Sequence, residues 1–321
     1  MSKFKNLFIC ITPLQIVIAK RIIEEKQLNE VGFIIVFYND NPKYRFYIDR
    51  LKAENYITLE YRVNSQSKLG RLIEIFKLKL FLKQKKVTAE NIYLASIENT
   101  LIHVILSNLS PKTLFTFDDG LANLDYYGQY YTNRENIIQK LVKKVLNISW
   151  HQDMVKNNSI CHFSIYHNHK NIIPTVEVIP LINEIQNNNT FNSYPITIFL
   201  GQPFNEIIAL DIKKLRTLNN SFKIDIYFPH PRESLDFSSL FNAKIHSTEL
   251  IFEDYIISLI HQNLNIRIVT IISTAALNVI HIPNVSVIAL YDEALMARYN
   301  HLYALLKNSG AQLVKLPENP L

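Results

Sequence analysis

The stretch KNLFICITPLQIVIAKRIIEEK, residues 5–26, begins with an apolar run and continues with apolar residues at helical spacing. Thr12 is a typical helix N-cap and Pro13 a typical first helical residue, so the stretch predicts a strand, a tight turn and a helix. The same order recurs up to residue 117 and resumes from residue 196 to a closing helix near 293–308. Strands that alternate with helices predict parallel sheets covered on both faces, which is an α/β fold.

The chain length bounds the number of domains. A chain of 321 residues suits two domains of ordinary size, and the Asn-rich segment NEIQNNNTFNSYP at 183–195 is the best linker candidate. We predict an N-terminal Rossmann-like domain at 1–185, a C-terminal one at 186–300, and a helix and tail at 301–321, with packing across the two domains left open. Two such domains are expected to hold a ligand in the cleft between them, at the carboxyl ends of the strands.

The composition argues against several protein classes. No apolar run is long enough to cross a bilayer, no signal peptide is recognisable, and the two cysteines, Cys10 and Cys161, predict neither a disulfide framework nor a zinc cluster. We therefore expect a cytoplasmic protein. The six glycines form neither a G-x-G-x-x-G nor a Walker A loop, which argues against the familiar modes of dinucleotide and NTP binding. No RNA-binding or zinc-finger pattern occurs, so no nucleic-acid partner is expected.

The positive charge is concentrated. The net charge is +6, and the basic residues gather in KLGRLIEIFKLKLFLKQKK at 68–86 and in KLVKKVL at 140–146. The first segment has helical spacing and predicts a basic amphipathic helix. Its basic side can be an ordinary solvated face, or it can contact an anionic membrane surface or a phosphate-bearing substrate.

Candidate functional residues follow the predicted strands. In TLFTFDDG, 113–120, two aspartates end a strand, where carboxylates bind metal, act as a base or cap a turn. In YFPHPRE, 227–233, two prolines hold His230 on a rigid turn, unless the segment is a loop that merely contains a histidine. Gly201 ends another strand at a point where the backbone can approach a ligand closely.

Two helix starts can serve either a ligand or the helix itself. Ser273 and Thr274 open a helix whose first N–H groups suit a phosphate, although capping alone explains them equally well. Glu253 lies at another helix start, where the helix dipole favours a carboxylate. The histidine-rich CHFSIYHNHK, 161–170, lacks the spacing of a helical zinc site and predicts a polar loop, whereas His103 on an apolar helix predicts a core residue.

Six short motifs, taken together, resemble one enzyme family. YLASIEN, FDDGLANL, LGQP, PHPRE, FEDYI and STAAL, in this order, are similar to segments of the bacterial lipooligosaccharide sialyltransferases of glycosyltransferase family 52. The resemblance covers roughly residues 5 to 318. It implies a GT-B fold with two Rossmann-like domains flanking a cleft. It also implies inverting transfer of sialic acid from CMP-sialic acid to a terminal galactose, without a metal or another cofactor.

The resemblance also assigns residues. It makes His230 the general acid on the leaving CMP phosphate and places Glu253, with Phe252 beside it, at the nucleotide. Ser273 and Thr274 hold the phosphate, with Thr274 standing where the family has glycine. The remaining substrate-binding candidates border the CMP site or the G-x-P turn and are Gly201, Gln202, Phe228, Pro229, Pro231 and Arg232.

The catalytic base is where the chain departs from the family. The family's aspartate after the G-x-P turn is replaced by Phe204, which cannot accept a proton. Glu206, slightly further on, is the favoured candidate, and Asp119 of the Asp-Asp-Gly motif is the second; Asp118 is expected to be structural.

A family-52 enzyme with another donor, such as a UDP-hexose, and a silent nucleotide-sugar binding protein are the alternative functions. Peripheral contact with the inner face of the cytoplasmic membrane and a homodimer are further options.

Overall fold

The chain folds into two compact units, Met1–Leu181 and Ile182–Leu321. The computed structural model describes residues 2–65, 67–132, 135, 137–167, 169–183, 194–207, 210, 214–215, 218–233 and 243–316. Most of the predicted linker at 183–195 therefore lies outside the described residues. The proposed division at 185 and 300 stays a prediction.

The first unit is built on a seven-stranded sheet in the order β3-β2-β1-β4-β5-β6-β7, and every described strand pairing in it is parallel. Its strands are β1 Lys3–Cys10, β2 Val31–Phe37, β3 Ile57–Arg62, β4 Thr88–Leu94, β5 Thr113–Phe117, β6 Ser159–Ser164 and β7 Val176–Val178. Its described helices are α1 Pro13–Glu25, α2 Pro42–Ala53, α3 Lys68–Lys85, α4 Thr100–Leu109, α5 Ile137–Val145 and α6 Gln152–Asn158.

The second unit is built on a six-stranded sheet in the order β10-β9-β8-β11-β12-β13, again with parallel pairing throughout the described strands. Its strands are β8 Ile196–Leu200, β9 Ile226–Phe228, β10 Lys244–Ile245, β11 Ile266–Thr270, β12 Val285–Tyr291 and β13 Gln312–Lys315. Its described helices are α7 Leu218–Ser221, α8 Phe252–Ile260, α9 Thr274–Val279 and α10 Glu293–Asn308.

The strand orders place one switch point in each sheet. In the first unit the order reverses between β1 and β4, and in the second between β8 and β11. Connections from the two strands at such a point leave toward opposite faces, which opens a crevice at their carboxyl ends. The residues that follow β1, β4, β8 and β11 therefore have the best position for binding a ligand.

Stacked aromatic rings fill the middle of the first sheet. The ring of Phe8 on β1 stacks on Tyr93 of β4 at 4.4 Å, and Tyr93 stacks on Phe115 of β5 at 4.6 Å. Rings at such distances add attraction beyond the free energy of burying their area. This packing holds the strands β1, β4 and β5 together in the middle of the sheet.

Several local predictions are confirmed and one is wrong. Thr12 caps α1 through its side chain and Pro13 opens the helix, the basic helix at 68–86 is α3, and His103 is buried. The polar loop predicted for 161–170 is wrong for its first part, because His162 lies in β6 and is fully buried. Among the described residues, no helix has both the length and the apolar character that a membrane span requires.

Candidate active site

Gly201 and Gln202 occupy the switch point of the second sheet, directly after β8. The side chain of Gln202 is 4% exposed, and its Oε1 accepts hydrogen bonds from the backbone N–H of Ile272 at 3.2 Å and the hydroxyl of Thr270 at 3.3 Å. Because a backbone N–H can only donate, this end of the amide must be the oxygen. Nε2 is then a buried donor without a hydrogen-bond partner among the described residues. A buried donor of this kind is costly unless a ligand satisfies it.

His230 lies on the turn that follows β9, the strand next to β8. Its Nδ1 accepts a hydrogen bond from the backbone N–H of Arg232 at 3.1 Å. A neutral imidazole whose Nδ1 accepts must carry its proton on Nε2. The turn therefore presents the Nε2–H end of the ring, which donates a hydrogen bond.

Arg232 and Glu206 form an ion pair at the same edge. Arg232 Nη1 lies 3.0 Å from Glu206 Oε2, and both side chains are more than half exposed. Glu206 belongs to a short 3-10 turn, Phe204–Glu206. Phe204 itself is 2% exposed and packs against Phe199, so the residue that replaces the family aspartate serves the core. The two prolines that flank His230 differ in exposure: Pro229 is half-buried and Pro231 is exposed.

Ser273 and Glu253 lie at the starts of neighbouring helices. Ser273 is the N-cap residue of α9, which Thr274 begins, and its side chain makes no capping hydrogen bond. Glu253 in the first turn of α8 is 5% exposed, and its Oε1 accepts a hydrogen bond from Asn278 Nδ2 of α9 at 2.6 Å. The predicted nucleotide-binding carboxylate thus also joins the two helices.

The two phenylalanines predicted at the CMP site belong to a buried aromatic cluster. Phe228 and Phe252 are 4% and 5% exposed, and their rings meet edge to face at 5.1 Å. Tyr255 and His246 stack on the same group. The cluster includes the last residue of β9, the strand that leads into the His230 turn.

The carboxyl edge of the first sheet carries the Asp118-Asp119 pair, whose two members have different surroundings. Asp118 is fully buried and accepts hydrogen bonds from Asn123 Nδ2 at 2.6 Å and the backbone N–H of Ile165 at 2.6 Å. Its carboxylate also contacts His162 Nε2 at 2.8 Å and Ser164 Oγ at 3.0 Å. With four neighbours and no exposure, this carboxylate has no room for a substrate.

Asp119 is half-buried and is held by side chains from three separate segments. Oδ1 accepts from Gln15 Nε2 at 2.8 Å, while Oδ2 accepts from Ser96 at 2.8 Å and from the Tyr130 hydroxyl at 2.9 Å. Gln15 follows β1 and Ser96 follows β4, so the network lies at the switch point of the first sheet. The backbone N–H of Ile11 donates to Gln15 Oε1 at 2.6 Å and so fixes the amide with its donor toward Asp119.

Negative charge affects the groups around Asp119. Burial, with a further contribution from the Asp119 charge, raises the pKa of the Cys10 thiol and of the Tyr130 hydroxyl well above their usual values. Burial also raises the pKa of Glu98, and Asp119 adds to the shift. Cys10 and Tyr130 therefore stay protonated at neutral pH, which leaves the Tyr130 hydroxyl as a hydrogen-bond donor. Among the described residues, no group of three His, Cys, Asp or Glu side chains is arranged to hold a metal ion.

Comparison with known proteins places the chain in a family. A sequence model described as glycosyltransferase family 52 matches residues 29–293. The chain belongs to glycosyltransferase family 52. A Pasteurella multocida (strain Pm70) protein named CMP-N-acetylneuraminate:beta-galactoside alpha-2,3-sialyltransferase is 30% identical over 98% of this chain and 100% of its own length. A Haemophilus influenzae N-acetyllactosaminide alpha-2,3-sialyltransferase is 29% identical over 88% of this chain and 90% of its own length.

Solved structures confirm the fold of this family-52 chain. CalG4, the calicheamicin glycosyltransferase, aligns with a TM-score of 0.52 at 7% identity, covering 97% of this chain and 86% of its own. A UDP-glucosyltransferase from Polygonum tinctorium aligns at 0.53 with 11% identity, covering 98% and 86%. At such low identity the likeness concerns the fold alone. Together with the two parallel sheets, it confirms the predicted α/β fold of the GT-B class.

Sequence reasoning on this family-52 chain missed several residues that organise the two edges. Gln15, Ser96 and Tyr130 surround Asp119, and Glu233 braces the His230 turn. A signal existed for Gln15, since Thr12-x-x-Gln15 has the form of a capping box. That pattern predicts a local role, however, and gives no hint of a contact with residue 119.

Proposed function

We propose that the chain is an inverting sialyltransferase that moves sialic acid from CMP-Neu5Ac to a terminal galactose of a lipooligosaccharide or capsule-type glycan, with an α-2,3 linkage. The observation that carries the proposal is the similarity to the Pasteurella sialyltransferase along almost the whole of both chains. It favours CMP-sialic acid over a UDP-hexose donor, and an active enzyme over a silent binding protein.

The second unit supplies groups that suit the departure of CMP. His230 presents its Nε2–H, and Gln202 presents a buried donor that has no hydrogen-bond partner within the described part of the chain. Loss of CMP from the anomeric carbon of sialic acid builds negative charge on the phosphate as the C–O bond breaks, and such donors stabilise that charge. In this mechanism the imidazolium form of His230 gives its Nε2 proton to the leaving phosphate and returns to the neutral ring, and no metal or other cofactor takes part.

Inversion requires one displacement, in which a base removes the proton of the galactose hydroxyl while its oxygen attacks the anomeric carbon. Two carboxylates are candidates. Glu206 is exposed but paired with Arg232, and Asp119 is held by three neutral donors. Both belong to the proposal. Glu206 is accessible but has to leave its ion pair with Arg232, and Asp119 lies at the switch point of the first sheet but its oxygens already accept hydrogen bonds.

The test is an incubation of the purified protein with CMP-Neu5Ac and lactose, in which release of CMP and formation of sialyllactose are both measured. We expect sialyllactose that a sialidase specific for α-2,3 linkages cleaves. Thermal shifts with CMP and with UDP discriminate the donors, since a sialyltransferase is stabilised by CMP. The absence of product with several galactosides, together with stabilisation by UDP alone, contradicts the proposal.

We also propose that the protein works in the cytoplasm and contacts the inner face of the membrane through α3 and α5. Four large apolar side chains on α3 are 48–72% exposed and four on α5 are 58–80% exposed. These eight residues, which we name the α3–α5 surface, are Leu69, Ile73, Phe76, Leu80, Ile137, Ile138, Leu141 and Val145.

The charges beside the α3–α5 surface match an anionic lipid bilayer. Glu74 is the one acidic residue of the two helices and is 2% exposed, whereas Lys77, Lys83, Lys140 and Lys144 are exposed. Exposed apolar residues bordered by lysines are typical of helices that lie in a membrane interface.

A homodimer is a further proposal supported by the family resemblance, and sedimentation velocity over a range of concentrations tests it.

A further inference from the structure

Glu233, the last residue of the PHPRE motif, braces the turn that carries His230. Its Oε2 accepts a hydrogen bond from the backbone N–H of His230 at 2.8 Å, and its own N–H donates to the His230 carbonyl at 2.9 Å. The side chain and the backbone of Glu233 thus both bind the main chain of His230. These bonds fix the position from which the imidazole projects.

The other oxygen of Glu233 anchors the turn to the sheet. The hydroxyl of Tyr227 on β9 donates to Glu233 Oε1, and Tyr227 is 2% exposed. Its ring stacks on Phe199 of the adjacent strand β8, with the planes 12° apart. A rigid buried tyrosine therefore sets where the carboxylate lies, and the carboxylate sets where His230 lies.

Gly201 provides the space for this arrangement. A Cβ at position 201 would lie 2.8 Å from Glu233 Oε2, 2.9 Å from the Tyr227 hydroxyl and 3.0 Å from the Phe228 carbonyl. Its N–H donates to that carbonyl at 2.8 Å, which keeps the two strand ends together. The glycine of the G-x-P turn is thus needed here by the Glu233 carboxylate.

We propose that Glu233 is a positioning residue that holds the His230 ring in the orientation that presents its Nε2 end. This inference rests on the proposed function of His230 as general acid. The carboxylate fixes the backbone of residue 230, and this backbone geometry lets the Arg232 N–H occupy Nδ1 and leaves the proton on Nε2.

Two substitutions separate the hydrogen bond from the charge. Glu233→Gln keeps an oxygen that accepts from the His230 N–H but removes the charge, whereas Glu233→Ala removes both. We expect kcat at the optimum to fall on the order of 10-fold or more only in Glu233→Ala. Glu293→Ala, at a carboxylate that is 88% exposed, is the matched control.

Histidine NMR decides the proposal without any turnover. In the wild-type protein, ¹⁵N shifts are expected to show neutral His230 with its proton on Nε2, and Glu233→Ala is expected to give a mixture of tautomers. If the wild type does not turn over CMP-Neu5Ac, the proposed function fails while this measurement still stands. An unchanged tautomer in Glu233→Ala overturns the positioning role.

A double-mutant cycle keeps the test sharp if Glu233→Ala lowers stability. Gly201→Ala is expected to displace the carboxylate and to reproduce the His230 shifts of Glu233→Ala. Combined with Glu233→Ala, it should then cost less activity than the product of the two single losses, because the clash partner is gone. Independent, multiplicative losses contradict the contact between residues 201 and 233 as the cause.

Discussion

Arg232 and Glu206 join the turn after β9 to the turn after β8, with Arg232 Nη1 at 3.0 Å from Glu206 Oε2. The guanidinium contacts both carboxylate oxygens of Glu206, so a substrate hydroxyl has to compete with Arg232 for them. Glu206 therefore has to leave this pairing before it can act as a base. Asp119 has the opposite limitation, because its oxygens already accept hydrogen bonds from Gln15, Ser96 and Tyr130.

The first prediction distinguishes the two candidate bases. Glu206→Gln and Asp119→Asn each keep the shape of the side chain and remove the carboxylate. The variant that lacks the true base is expected to lose transfer activity by about 10²–10⁴-fold, with a modest change in the KM for CMP-Neu5Ac. Hydrolysis of CMP-Neu5Ac without acceptor should survive better, because water attacks an oxocarbenium-like centre with less help.

A matched control for that comparison is Arg232→Gln, which frees Glu206 without altering any carboxylate. If Glu206 is the base, this variant should not lose transfer at saturating CMP-Neu5Ac as Glu206→Gln does, because the carboxylate that accepts the proton is still present. Wild-type transfer rates in both carboxylate variants would mean that neither residue is the base.

The second prediction concerns the general acid. His230→Ala should lower kcat by about 10²–10⁴-fold, the usual range for such a group. CMP binding, measured by calorimetry, should also weaken because the same imidazole donates to the phosphate. A donor with a better leaving group should recover part of the loss in His230→Ala but gain little in the wild type, and equal gains in both contradict the role.

The third prediction concerns the buried Nε2 donor of Gln202, which has no partner among the residues that the structure describes. Gln202→Glu keeps the oxygen that accepts from the Ile272 N–H and replaces the Nε2 donor with a second oxygen. If Nε2 faces an anionic oxygen of the donor substrate, CMP affinity should fall roughly 10–100-fold, the size expected for one hydrogen bond to a charged group. Gln262→Glu, the same change at an exposed side chain of the second unit, should leave affinity unchanged. Equal affinity in both variants contradicts a donor role for Gln202.

Much of the architecture follows from local sequence patterns. Apolar runs of strand length, each followed by helical spacing, predicted both parallel sheets, and Thr12-Pro13 marked the first helix start correctly. Prolines around one histidine correctly placed His230 on a turn after a strand. These features depend on neighbouring residues, so they are visible without a structure.

The networks at the sheet edges could not be predicted, because they join residues that are distant in sequence. Gln15 and Asp119 are 104 positions apart and meet only through the strand order β1-β4-β5. His162 looked like part of a polar loop because three histidines lie close together, yet Asp118 and Thr116 satisfy its ring inside β6. A buried polar residue with long-range partners resembles a surface residue in the sequence.

The fourth prediction follows from the buried His103. Burial, assisted by the Lys143 charge, lowers the pKa of His103 to about 3. The neutral ring lies between the Ile97 carbonyl at 2.8 Å and Lys143 Nζ at 2.9 Å. In the unfolded chain the ring takes up a proton near pH 6.5, so between pH 6.5 and about 3 the unfolded state binds more protons and stability falls as the pH is lowered.

The expected contribution is about 1.4 kcal/mol for each pH unit within that window. Urea unfolding followed by the fluorescence of Trp150, the single tryptophan of the chain and a residue of the first unit, measures it. His103→Gln should show a shallower loss of stability from pH 6.5 to 5 than the wild type. Parallel curves for the two proteins would mean that His103 does not titrate on unfolding.

The last prediction concerns the α3–α5 surface and separates its charge from its apolar side chains. Sedimentation with phosphatidylglycerol vesicles should occur at low salt and weaken as salt rises, since each lysine near an anionic surface contributes about 1 kcal/mol that salt screens. The double variant Lys77→Glu/Lys83→Glu should bind vesicles much more weakly than Lys223→Glu/Lys307→Glu, which makes the same charge change at exposed lysines of the second unit. Phe76→Ser/Leu80→Ser should lose the binding that persists at high salt, because that part comes from buried apolar area.

Two outcomes contradict a lipid partner. One is equal binding of all three variants. The other is dissociation of an oligomer by Phe76→Ser/Leu80→Ser without any vesicle binding by the wild type. In the second case the surface would be an interface between copies of the chain.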